Sequence, residues 1–64
     1  MRRIVRTLRT DSHTGVSLHQ TSDAQFVVVA GGIPRKSTSS LELASSVYRR
    51  WIAAYRLAAR RSVA

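Results

Sequence analysis

The chain has 64 residues and a formal net charge of +8, from 11 Lys and Arg against 3 Asp and Glu, and it contains no cysteine. A chain of this length makes one domain, which buries only about 60% of the surface its unfolded form exposes; the lack of cysteine excludes disulfides and thiolate-bound metal as staples for so small a core. No apolar run approaches the roughly 18 residues of a membrane span, and the expectation is a soluble, intracellular, cytoplasmic protein.

The opening MRRIVRTLRT is rich in Arg and free of acid until Asp11, a composition shared with organelle transit segments. Its β-branched residues place it within the fold as a first strand over about residues 3–10. Alternation sets Ile4 and Leu8 on one face and Val5 and Thr7 on the other, with Arg6 an irregularity on the Ile4 face. DSHTG, residues 11–15, is turn chemistry, because Asp and Ser bond nearby backbone and Gly accepts positive φ.

A second strand is predicted over 16–21, where Val16 and Leu18 alternate with Ser17, His19 and Thr21. After a turn at Ser22–Ala24 the run QFVVVA, residues 25–30, has apolar residues at consecutive positions, which predicts a central strand covered on both faces. Gly31 and Gly32 end it. A short fourth strand over 33–36 is confined to a sheet edge, since Pro34 has no amide to donate.

Ser39 followed by Glu42 fits the S-x-x-E capping box and predicts a helix over about 40–61. At about 100° per residue, Leu41, Ala44, Val47, Tyr48, Trp51, Ile52, Tyr55, Ala58 and Ala59 share one broad apolar sector. Leu43 and Leu57 lie outside its centre, so a small sheet is expected to leave helix surface for a homodimer contact. Arg49, Arg56 and Arg60 form one stripe and Arg50 and Arg61 a second; Glu42 is the only acid in the helix to offset them. The fold class is therefore α+β: a small antiparallel sheet of three or four strands followed by one long C-terminal amphipathic helix.

Catalytic chemistry finds little support. His13 and His19 have no acid at a spacing that would orient either ring, and Asp11, Ser12 and His13 are sequence neighbours that seldom converge. GGIPRKSTSS lacks the G-x-x-x-x-G-K-[ST] spacing of a phosphate loop and reads first as a turn and a helix start. No cofactor or metal site is expected.

The basic surface is what remains. Ten of the eleven cations are arginine, whose planar guanidinium forks onto phosphate, although a GC-rich genome also favours Arg, Ala, Val and Gly. The reading is a non-catalytic nucleic-acid-binding module. Phosphate contacts are expected from Arg2, Arg3, Arg6 and Arg9 on the first strand, Arg35 and Lys36 in the loop, and Arg49, Arg56 and Arg60 on the helix. The alternative is a small protein-interaction factor, of a size that suits a phage or mobile-element product, docking on an acidic protein as inhibitor or assembly subunit.

Overall fold

Three short turns fold residues 4–38 into an antiparallel meander, which is followed by one helix; a computed structural model describes residues 4–62. The strands are β1 (Ile4–Thr10), β2 (Ser17–Thr21), β3 (Phe26–Ala30) and β4 (Ile33–Thr38), hydrogen-bonded in that spatial order, and the helix is α1 (Leu41–Ser62). The α+β class and the order of elements agree with the sequence pattern. β4 lies at an edge, as Pro34 requires, and extends to Thr38.

Each turn has a chemical cause. At the first, the Asp11 carboxylate accepts hydrogen bonds from the Thr14 hydroxyl (2.6 Å) and the Thr14 amide (3.3 Å), and the Gly15 amide donates to the Asp11 carbonyl at 2.8 Å. At the third, Gly31 and Gly32 both have positive φ, 64° and 75°, as a two-residue type I′ hairpin demands. Gly31 is doubly constrained, because a Cβ there would stand 3.0 Å from the Tyr55 hydroxyl. The second turn places Ala24 at a φ of 59°, a left-handed conformation that its Cβ disfavours.

One face of the sheet carries the core. Leu18 pairs with Val28 and Gln20 with Phe26, and Val16, Leu18, Val28 and Ala30 are buried against Ala44 and Tyr48 of α1. Leu8, Val47, Trp51, Ile52 and Tyr55 complete the packing. The helix rests on β2, β3 and β4 and makes no comparable contact with β1. The opposite face, on which His19 pairs with Val27 and Ser17 with Val29, has no layer over it among the described residues. This corrects the expectation that β3 is covered on both sides: Val27 and Val29 are only half-buried.

Two further expectations are revised. Register shifts in β1 between Ile4 and Arg6 and between Thr7 and Arg9 reverse its alternation. Ile4 therefore pairs with Thr21 on the uncovered face, while Leu8 joins the core on the other. The helix cap is Ser40, one residue later than Ser39: its hydroxyl accepts from the Leu43 amide at 3.2 Å. Glu42 then sits one position too early to close a capping box.

The buried sector of α1 also ends sooner than its periodicity suggests. Strands of five to seven residues span about 17–23 Å, whereas 22 helical residues span about 33 Å. The last turns consequently overhang the sheet, residues 56–61 are all exposed, and the described chain measures 44 × 19 × 15 Å. Leu41, Ala58 and Ala59 are exposed rather than core.

Three substitutions test these local causes. Ala24→Gly is expected to stabilise the fold by about 1 kcal/mol, because it removes the left-handed penalty at the second turn. Ser40→Ala is expected to cost about 1 kcal/mol and Ser39→Ala much less, as the hydroxyl at the cap is lost only in the former. Chemical denaturation midpoints of the three variants decide both.

Candidate nucleic-acid interface

The rotation of α1 about its axis decides where its arginines go; its apolar face packs on the sheet, and each flank carries one polar contact. On the β4 side the Arg35 guanidinium lies over the Trp51 ring, 4.8 Å from its centroid, while its Nε donates to the Ala30 carbonyl at 3.1 Å. Trp51 in turn meets Tyr55, with ring centroids 5.9 Å apart. On the opposite flank Arg56 reaches Asp11 in the first turn at 4.0 Å. Trp51 and Arg56 are five residues apart, about 140° round the helix, so the two contacts grip opposite sides of it.

Arg49 and Arg60 are seven residues before and four after Arg56, within about 20–40° of it round the axis, and share its flank. Along the axis the three stand about 10 Å and about 6 Å apart. With Ile52, Ala53 and Leu57 they line a broad concavity of about 610 Å³ on the side of the helix. All three arginines are exposed.

The doubly bulged β1 contributes to the same side. Its register pairs Arg6 with Gln20 and Arg9 with Leu18, on the face of the sheet that carries the helix. Arg6 and Arg9 are exposed, α1 leaves β1 uncovered, and Arg56 reaches the turn that follows β1. A strict alternation from Ile4 would have divided Arg6 and Arg9 between the two faces; the bulges unite them.

The other proposed phosphate ligands do not join this group. Arg35 is occupied by Trp51 and Ala30, and Lys36 pairs with Val28 on the far edge strand. Arg2 and Arg3 lie outside the described residues. Arg49, Arg56 and Arg60 thus share one helix flank, Arg6 and Arg9 lie by register on the helix-bearing face of the edge strand β1, and Arg35 and Lys36 lie on the other edge strand.

Asp11 is the acid beside that helix flank. Hydrogen bonds from the Thr14 side chain and backbone, helped by Arg56 and His13 and opposed by partial desolvation, hold its carboxyl below the usual range. With Arg56 63% exposed, the ion pair itself is screened and weak. Asp11 acts mainly on the turn and on the aim of the helix flank.

A polar cluster that the spacing of the sequence concealed lies on the uncovered sheet face. The His19 ring meets the Ser17 hydroxyl through Nε2 at 2.7 Å and the Thr7 hydroxyl through Nδ1 at 3.0 Å. Ser17 and His19 are two apart on one strand, and the pairing of Thr7 with His19 could be found only from the bulged register. The position a catalytic carboxylate would take is filled by a hydroxyl, which cannot stabilise an imidazolium as an acid does. Among the described residues no three His, Asp or Glu side chains gather as a metal site, and no helix is long and apolar enough to cross a membrane.

No family model matches the chain, and comparison with curated proteins and with solved structures produced no match.

The lowered Asp11 carboxyl predicts a pH dependence. A carboxyl whose pKa is depressed by folding contributes stability above its unfolded value, about 3.9, and that contribution is lost as pH falls through the folded value. The difference in melting temperature between wild type and Asp11→Asn should therefore be constant near neutrality and shrink below about pH 4. A difference that stays constant to pH 2 overturns the assignment.

Proposed function

We propose that this chain is a non-catalytic nucleic-acid-binding module that grips phosphates with Arg6, Arg9, Arg49, Arg56 and Arg60. What supports the reading is the row of three exposed arginines along one flank of α1, with Arg6 and Arg9 exposed on the helix-bearing face of the sheet in a +8 molecule and Asp11 beside Arg56. Like charges on one helix flank repel one another, and a row of phosphates relieves that repulsion while releasing counterions. Guanidinium groups suit this partner through bidentate bonds to phosphate oxygens.

The aromatic residues support backbone contact rather than base stacking. Tyr48 is buried, Phe26 packs against the core, and Trp51 and Tyr55 are half-buried against each other, with Arg35 over the Trp51 ring. Single-strand binders lay bases on exposed aromatic faces, and these rings are already engaged. The reading is thus a sequence-tolerant grip on phosphates, in which affinity depends steeply on salt.

Apolar surface between the arginines, Ile52, Ala53 and Leu57, favours a second reading: an acidic amphipathic protein segment docked along the same flank. Specificity separates the two. Nucleic acids of unrelated sequence compete equally for a phosphate grip, whereas a protein site tolerates few substitutes.

Charge reversal at Arg49 and Arg60 tests the proposal and leaves the Arg56–Asp11 contact in place. Fluorescence anisotropy with labelled duplexes of several sequences should show log–log linear salt dependence, and Arg49→Glu with Arg60→Glu should lower the slope by about two. The loss should be similar for every sequence, with the circular dichroism melt unchanged because both positions are exposed. Absence of binding by the wild type at about 50 mM salt, where such contacts are strongest, overturns the reading.

A further inference from the structure

The uncovered sheet face differs from the arginine side in composition. By register it presents Thr7, Ser17, His19, Val27, Val29 and Ser37, with Ile4 and Pro34 toward its margins, and no Asp, Glu, Lys or Arg of the described strands pairs onto it. A shallow depression of about 340 Å³ runs across it from Ile4 to Pro34 over Thr21, Val27 and Val29, and Arg35 and Lys36 border it only along β4. Ile4 projects at one end, 53% exposed.

We infer that this face is the contact of a homodimer, in which a second copy packs sheet against sheet. Charge selects that occupant. A polyanion or an acidic protein finds more attraction on the arginine side, while a second copy of a +8 chain approaches best where its own charges are fewest, here Arg35 and Lys36 along one border. Face-to-face sheets lie about 10 Å apart, and a helix adds about 10 Å to each side. The two arginine stripes then stand about 30 Å from each other, several times the roughly 8 Å screening length at physiological salt. The helix flank around Leu57, which the sequence suggested for a dimer contact, would instead press Arg49, Arg56 and Arg60 of both copies together.

Shape and size agree with this choice. Ile4 as a projection and the depression beside it lie on the same face, the self-complementarity that a two-fold contact uses. Four strands about 4.8 Å apart, each about five residues long, make a footprint of about 19 × 17 Å. Two such faces cover about 650 Å² in projection, below the size of a standard interface, which fits a weak, reversible dimer rather than a permanent one.

Sedimentation equilibrium without nucleic acid, from about 5 to about 500 µM, measures the association directly. A monomer–dimer equilibrium is expected, unchanged or tightened on going from 0.1 to about 1 M salt because salt screens the repulsion between two chains of like charge and the face offers no acid for Arg35 and Lys36 to pair with. Val27→Lys should weaken it at least about tenfold, as a buried unpaired ammonium does, and Leu57→Lys should leave it unaltered. Should Val27→Lys fail to fold, Thr7→Lys on the same face, at an exposed position, takes its place. A wild type that stays monomeric throughout overturns the inference and leaves the face to a different protein. Dissociation by Leu57→Lys but not by Val27→Lys or Thr7→Lys overturns it in favour of the helix flank.

Discussion

The packing of Ala44 and Tyr48 onto Leu18 and Val28 is the constraint from which the remaining surfaces follow. A helix about 10 Å across laid on a sheet about 19 Å wide cannot cover four strands, and there is no second helix among the described residues. Three things are left uncovered as a result: strand β1, the far face of the sheet, and the last turns of α1. Each is a surface of different chemistry. The first and third carry arginine, whereas the second carries hydroxyls, valine and one histidine.

The small core also explains why polar contacts on the helix flanks matter here. Ala44 and Tyr48, with Val47, Trp51, Ile52 and Tyr55 around them, set which side of α1 faces the sheet. Arg35 on Trp51 at one side and Asp11 beneath Arg56 at the other restrict the roll of the helix. The Tyr55 hydroxyl set against the bare Gly31 backbone fixes how far along the sheet the helix lies. Individually such contacts are weak, and they add to the orientation that the apolar face of α1 sets.

What the sequence made legible was local. DSHTG, the paired glycines and Pro34 marked turns and an edge because their backbone preferences do not depend on distant neighbours. The length and the apolar period of α1 were readable for the same reason. Bulges in β1 were not, since inserting a residue opposite Gln20 or Leu18 is decided by pairing across the turn rather than by any property of Val5 or Leu8. The cap moved from Ser39 to Ser40 because adjacent serines offer equal chemistry and the exit angle of β4 chooses between them. Arg35 read as a free phosphate ligand; only the tertiary fold shows Trp51 beneath it. Of the candidate interface, the helical stripe was visible from spacing alone, and the placement of Arg6 and Arg9 together on the helix-bearing face was not.

Both rims of the sheet are irregular, β1 through its two register shifts and β4 through Pro34 and the shift opposite Val28 and Val29. A strand from another molecule needs a straight ladder of free amides and carbonyls to add to, and neither rim supplies one. The sheet is therefore unable to lengthen sideways into ribbons or filaments, although half of it is bare. For a small chain with valines at its surface, that irregularity keeps any self-association finite.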